Sequence, residues 1–182
     1  SIYLNPKFEF NLSLAAENFY FNYEYDKVKK ILKKFKKENE FYYWFRLKTE
    51  AQIIIKEQDY ENGIEYIDSK FSKIKHPNTK MIFDLANFYK NSKNYERAIE
   101  RYTQIILTLD DKSVIKSDIL YRRGGSYERI GNYKKADKDL LDALKINPSD
   151  AYTLNYLAYS WLERNYKVNE AMEMLKTAYD LK

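Results

Sequence analysis

A short motif recurs along the chain at nearly constant spacing. A tyrosine preceded by Glu, Asp or Asn opens each of the segments EYDKVKKIL, DYENGIEYI, NYERAIERY and NYKKADKDL. These tyrosines are Tyr25, Tyr60, Tyr95 and Tyr133, and their spacings are 35, 35 and 38 residues. A period in this range is typical of repeat proteins, whose units cannot bury an apolar face alone and therefore stack on their neighbours. The chain is predicted to consist of such repeats.

Within the repeats, apolar side chains follow a helical spacing. In the segment YDKVKKILKKF, for example, Val28, Ile31, Leu32 and Phe35 lie at i, i+3, i+4 and i+7. Turn sequences such as EQDY and RIGNY separate one such helix from the next. The apolar run QIII lies inside a helical pattern, so no segment has the pattern of a strand. These patterns predict an all-α protein made of paired helices.

Residues 117–150 match a known repeat at its diagnostic positions. The tetratricopeptide repeat has a large apolar, a small and an aromatic residue in its first helix, and a small residue, a large apolar residue, an alanine and a proline further on. The corresponding residues here are Leu120, Gly124, Tyr127, Ala136, Leu140, Ala143 and Pro148. The segment therefore resembles a tetratricopeptide repeat.

That resemblance implies a right-handed α-α superhelix of about five helix-turn-helix repeats in a single array. The same frame places the repeats at about 9–43, 44–78, 79–116, 117–150 and 151–182. Residues 1–8 would then end a preceding repeat, and neither end of the chain has the polar capping helix of a complete array. We therefore expect a fragment of a longer protein, whose exposed ends could associate with one another. The last repeat is similar to units of long bacterial tetratricopeptide proteins.

Composition removes several kinds of functional site. The chain has no cysteine and a single histidine, His76, in the segment KIKHPNTK, where an exposed loop residue is expected. A catalytic triad or a metal site would need further partners at that loop. We therefore expect a protein that is not an enzyme and has no metal or cofactor. No targeting segment is recognisable, and the lack of cysteine suits the cytoplasm and the periplasm alike, so the compartment stays open.

Three of the four glycines, Gly124, Gly125 and Gly131, fall within eight residues beside several basic residues. Their spacing does not match a phosphate-binding loop, and no strand precedes them. Gly124 is the small packing residue of the repeat, and Gly131 is where a helix ends in a left-handed conformation. Neither reason explains Gly125. We expect Gly125 to lower the floor of a binding groove, so that a bulky side chain there would hinder binding more than folding.

The resemblance also implies that the first helices line a concave groove that binds a peptide or a partner protein. In this frame the groove residues are Phe45, Lys48, Gln52, Phe83, Asn87, Tyr121, Arg122, Gly125, Tyr152, Asn155, Tyr156 and Tyr159. This aromatic and mildly polar composition suits a protein-binding surface, although aromatic residues also pack between helices. Asp84 and Asp118 occupy positions that would repel a carboxylate in the clamp that reads chaperone C-termini, so that specialised function is excluded.

An alternative function rests on charge. The formal net charge is +5, and seven lysines lie between residues 27 and 37 around the apolar stripe of a predicted helix. Such a helix could bind nucleic acid or an anionic surface. In the repeat frame, however, its polar face is the solvated outside of the array. Binding through several lysines would weaken steeply with salt, whereas binding in an aromatic groove would not.

Overall fold

The computed structural model describes residues 6–181, with side chains from residue 8 onward. Within those residues the chain forms ten α-helices and no strand. The helices are α1 (Pro6–Phe21), α2 (Tyr25–Leu32), α3 (Glu40–Glu57), α4 (Tyr60–Phe71), α5 (Thr79–Asn91), α6 (Tyr95–Ile106), α7 (Val114–Arg129), α8 (Tyr133–Ile146), α9 (Ala151–Glu163) and α10 (Val168–Asp180). The all-α prediction is confirmed. None of the described helices is both long enough and apolar enough to cross a lipid bilayer.

The helices form two compact units. Unit 1, Ser1–Pro77, contains α1 to α4, and unit 2, Asn78–Lys182, contains α5 to α10. In unit 1, α1 packs against α2 and α3 against α4; in unit 2, the packed pairs are α5 with α6, α7 with α8, and α9 with α10. Each pair is one helix-turn-helix repeat, as the periodicity predicts. The proposal that all five repeats form a single array concerns both units together and stays a prediction.

The turn inside most pairs has the same backbone conformation. A residue with positive φ follows the first helix at the same position of four repeats, and these residues are Tyr23, Lys93, Gly131 and Asn165. After α7, Asn132 N–H donates to the carbonyl of Tyr127 at 2.9 Å, which satisfies a free carbonyl at the helix end. The φ of Gly131 is +75°, so its predicted left-handed conformation is confirmed. The α3–α4 turn differs, with Gln58 at φ −127°.

Small residues allow the two helices of each pair to approach closely. Small residues are fully buried in the first helices at Ala16, Ala51, Ala86 and Ala158. They are also fully buried in the second helices at Ala98, Ala136 and Ala171. At Gly124, an added Cβ would lie 3.0 Å from Cγ of Leu140. The prediction that Gly124 is a packing residue is therefore confirmed.

Capping side chains explain where helices begin. Asn78 Oδ1 accepts the N–H of Met81 at 2.9 Å, and Asp150 Oδ1 accepts the N–H of Tyr152 at 3.1 Å. As a result α5 and α9 begin at the predicted repeat starts, 79 and 151. The irregular segment before the fourth repeat is a loop from 107 to 113 followed by an early start of α7 at Val114. Helix α1 begins at Pro6, where proline is tolerated because the first helical N–H has no partner in the helix. The segment 1–8, which was predicted to end a preceding repeat, lies mostly outside the described residues.

The lysine-rich helix is shorter than predicted. Helix α2 ends at Leu32, and the residues up to Lys37 lie outside it, so the prediction of one helix over 27–37 is wrong. After Leu32 the backbone tightens into a turn in which Phe35 N–H donates to the Leu32 carbonyl at 3.1 Å. This turn still buries Phe35, whose ring stacks on Tyr42 at 5.4 Å between centroids. Phe35 is therefore a core residue although it lies outside the helix.

Candidate functional site

The first helices of unit 2 contact one another through polar and aromatic side chains. The Arg122 guanidinium on α7 lies 5.2 Å from the ring centroid of Phe83 on α5, a cation–π distance. The same guanidinium donates to Asn87 Oδ1 at 3.4 Å and, through Nε, to Asp118 at 2.9 Å. Asn87 Oδ1 also accepts the Tyr102 hydroxyl at 2.7 Å. Arg122 is therefore held in one position between α5 and α7.

A pair of tyrosines connects α7 with α9. The rings of Tyr121 and Tyr156 meet edge to face with centroids 5.7 Å apart. The Tyr156 hydroxyl donates to Glu128 on α7 at 3.1 Å. Burial raises the pKa of Tyr156, and the negative charge of Glu128 raises it further, so the hydroxyl stays protonated and remains a donor. This network fixes the ring of Tyr156 above α7.

Other predicted groove residues on α9 extend into solvent. Tyr152 is 73% exposed and Tyr159 is 54% exposed, and Asn155 is also exposed. Together with the half-buried residues of α5, α7 and α9 they form one set of predicted groove residues within unit 2. We call this set the unit 2 strip, and it contains Phe83, Asn87, Tyr121, Arg122, Gly125, Tyr152, Asn155, Tyr156 and Tyr159.

Gly125 lies beside a cleft of about 220 Å³ within unit 2. A Cβ added there would contact the Tyr156 ring, with 3.4 Å to the hydroxyl oxygen and 3.6 Å to Cζ. These are ordinary contact distances, so an alanine would fit beside Tyr156, whereas a longer side chain would reach into the cleft. We call this space the Gly125 cleft.

Sequence analysis missed two basic residues of this cleft. Lys90 on α5 and Arg129 at the end of α7 line it together with Tyr95, and none of the three was among the predicted groove residues. Repeat position could have indicated Lys90 and Arg129 as groove residues, because both occupy positions of the repeat that face inward in tetratricopeptide proteins.

The predicted groove residues of unit 1 lie on α3. The ring of Phe45 packs edge to face against buried Phe35, with centroids 5.7 Å apart, so most of its surface belongs to the core. Lys48 is half-buried and Gln52 is exposed. Their participation in the same groove as the unit 2 strip stays a prediction.

The lysines of the alternative site are partly engaged. Lys29 Nζ lies 2.7 Å from both carboxylate oxygens of Glu57 on α3. Lys27 pairs with Glu24 and lies 5.0 Å from the ring centroid of Phe19. Lys33 and Lys34 are exposed beyond the end of α2. The basic segment is therefore a turn with a partly neutralised helix rather than a continuous cationic face.

No group of acidic or histidine side chains suited to a metal ion occurs in the described part of the chain. His76 is exposed in the loop between α4 and α5, as expected for a residue of a surface loop.

Comparisons with known proteins agree with the repeat architecture. The tetratricopeptide repeat family model matches residues 117–150. A TPR repeat-containing protein of Methanocaldococcus jannaschii is 35% identical over 80 residues, which are 44% of this chain and 13% of that protein. The chain thus spans only a small part of this relative's length.

Solved structures share the fold over nearly the whole chain. MamA 41-end from Desulfovibrio magneticus RS-1 has a TM-score of 0.67 at 12% identity, covering 95% of this chain and 94% of that one. A crystal structure of MamA has a TM-score of 0.64 at 16% identity, covering 91% of this chain and 93% of that one. At such identities the likeness concerns the fold. Residues 117–150 are thus a tetratricopeptide repeat, and the described chain, with its helix pairs, recurrent turns and buried small residues, has the all-α repeat fold of these structures.

Proposed function

We propose that this protein is a non-catalytic scaffold whose unit 2 strip binds an extended segment of a partner protein. Stacked helical repeats provide extended surfaces that such proteins use for binding. The observation that carries the proposal is the exposure of tyrosines on a fixed support. Tyr152 and Tyr159 extend from α9, next to the rings of Tyr121 and Tyr156 that join α7 to α9.

The energetics favour this surface for a protein partner. Tyrosine is enriched among residues that dominate binding energy, because it buries a large rigid area at low cost in conformational entropy. Arg122 and Asn87 supply hydrogen-bonding groups that their neighbours already hold in place. Such preorganised groups lose little freedom when a ligand binds. An extended segment would therefore find aromatic anchors on α9 and polar groups on α5 and α7.

The test begins with peptides selected from a random display library on the immobilised chain. Their dissociation constants are then measured by fluorescence anisotropy for the wild type and for a Tyr152→Ala, Tyr159→Ala double variant. Loss of a dominant tyrosine costs about 2 kcal/mol or more, so we expect binding to weaken about 30-fold.

A matched control is present on a second helix. Tyr179 on α10 is 81% exposed, so Tyr179→Ala removes a comparable exposed ring away from the strip. We expect that variant to bind the selected peptides as the wild type does. Equal weakening by Tyr179→Ala, or binding that depends on Lys33 and Lys34 and disappears with salt, would count against the unit 2 strip and favour the charge-based alternative.

A further inference from the structure

The Gly125 cleft combines three cationic side chains with tyrosines. It lies among α5, the start of α6, α7 and α9 of unit 2. The residues that carry the following argument are Lys90, Tyr95, Tyr121, Arg122, Arg129 and Tyr156.

The side chains that line the cleft include three cations and no carboxylate. Asp118 pairs with Arg122 at 2.9 Å, and Glu128 lies 3.6 Å from Nε of Arg129. Lys90 forms no ion pair or side-chain hydrogen bond with any residue among 8–181. Lys90 is thus the one cation lining the cleft without an ion pair among those residues, and the Asp118 carboxylate acts on it only from a longer distance.

The environment of Lys90 opposes its own charge. Burial lowers the pKa of Lys90, the neighbouring Arg122 guanidinium lowers it further, and the Asp118 carboxylate offsets these effects only in part. An ammonium group that has lost part of its hydration and faces a second cation gains from a nearby anion. The cleft is therefore electrostatically prepared for a negative ligand group.

Hydrogen-bond donors are also available at the cleft. The hydroxyls of Tyr95 and Tyr121 have no hydrogen-bond partner within the described part of the protein. An ionised carboxylate only accepts hydrogen bonds, and its two oxygens offer about four acceptor sites. The Lys90 ammonium together with tyrosine hydroxyls can satisfy such a group.

The same geometry favours a carboxylate over a phosphate. Arginine binds phosphate best with two parallel N–H groups. In Arg122, Nε is already bonded to Asp118 and Nη1 to Asn87, so neither edge of the guanidinium has both of its donors free. The single ammonium of Lys90 also matches the charge of one carboxylate better than the higher charge of a phosphate.

We propose that the Gly125 cleft binds the side-chain carboxylate of a Glu or Asp residue in the partner segment. The proposal rests on the proposed function, because the cleft opens beside Tyr121 and Tyr156 of the unit 2 strip. It differs from the chaperone C-terminal clamp, where Asp84 and Asp118 would stand at ligand-binding positions. Here Asp118 orients Arg122, and Lys90 supplies the charge that meets the ligand.

The test uses a small probe that does not depend on peptide binding. N-acetyl-glutamate amide is titrated into the isotope-labelled chain, and the backbone amide signals of Gly125 and Ser126 are followed by NMR. We expect saturable shifts, and we expect N-acetyl-glutamine amide, which lacks the charge, to cause none. In Lys90→Gln the dissociation constant should rise about tenfold or more, because a hydrogen-bonded charge is lost.

A matched variant controls for general electrostatics. Lys34→Gln removes the same charge from an exposed residue of unit 1 and should leave the titration unchanged. Tyr121→Phe, which keeps the ring and removes only the donor, should weaken binding about threefold or more. Unchanged binding in Lys90→Gln, equal weakening in Lys34→Gln, or preference for inorganic phosphate over the glutamate probe would overturn the proposal.

The outcome also separates this proposal from the proposed function. Selected peptides that need Tyr152 and Tyr159 but bind Lys90→Gln normally, with no probe shifts, would leave the strip standing and refute the carboxylate site. Saturable probe binding that needs Lys90, with no peptide binding to the strip, would refute the scaffold function and leave the anion chemistry of the cleft in place.

Discussion

Gly124 and Gly125 are neighbours on α7, yet the same substitution should affect stability in opposite directions. Alanine in a helix interior is about 0.8–1.0 kcal/mol more favourable than glycine. At Gly125 the new Cβ would meet Tyr156 atoms at 3.4, 3.6 and 3.9 Å, which are ordinary contacts. We therefore expect Gly125→Ala to raise the free energy of unfolding by about 0.5–1 kcal/mol.

At Gly124 the gain in helix propensity meets a packed core. The new Cβ would lie 3.0 Å from Cγ of Leu140, 3.3 Å from the Ala136 carbonyl oxygen and 3.3 Å from Cβ of Asp139. Leu140 is fully buried, and Asp139 is held by Arg123, so neither can move easily. Overpacking costs about 1–3 kcal/mol, which leaves Gly124→Ala about 0–2 kcal/mol less stable than the wild type.

The assay is urea denaturation followed by tryptophan fluorescence. The chain has two tryptophans, and in a Trp44→Phe background only Trp161, buried in unit 2, reports unfolding. With unchanged m-values the two alanine variants should differ by about 1–3 kcal/mol. Equal stability of Gly124→Ala and Gly125→Ala, or a destabilised Gly125→Ala, would refute the reasoning from these distances.

Two further predictions concern buried polar groups of unit 2. Arg123 donates to both carboxylate oxygens of Asp139 at 2.7 and 2.8 Å, so Asp139→Ala should lower the free energy of unfolding by about 3–5 kcal/mol, and an Arg123→Met, Asp139→Leu double variant should recover most of it. Urea denaturation measures this loss, and a decrease in the free energy of unfolding as small as that of a surface substitution would contradict the prediction. Burial raises the pKa of Tyr102 and of Tyr156, the latter also through Glu128. The stability that these two protonated tyrosines contribute is therefore fully present below about pH 10, the pKa of tyrosine in the unfolded chain, and is lost as the pH rises above it. Above about pH 10 the urea midpoint should therefore fall, and tyrosinate absorbance should show that some tyrosines ionise only at higher pH. Replacing Glu128 by Gln should lower the pH at which Tyr156 ionises. A urea midpoint that stays constant with pH would count against buried, protonated tyrosines.

Much of the fold was predictable because the repeat pattern reflects contacts and turns between helices that are close in sequence. Small residues such as Ala98 and Ala136 mark helix contacts within one unit, and Gly131 marks a turn whose conformation the backbone requires. The end of α2 at Leu32 was not predictable, because the helical pattern continues to Phe35. There, the ring of Phe35 stacks on Tyr42 in the next repeat, and periodicity carries no information about that partner.

The candidate site shows the same division. Periodicity by itself determined that the chain is a series of helix pairs, and the repeat frame indicated which positions face inward, among them Tyr121, Arg122 and Tyr156. Only the tertiary structure placed Gly125 against the Tyr156 ring and brought Lys90, which has no ion pair among the described residues, beside Arg122. The physical reason is that these contacts join side chains from different repeats. A period sets the face that a residue occupies, whereas the contacts that give a surface its charge and shape depend on how adjacent helices pack.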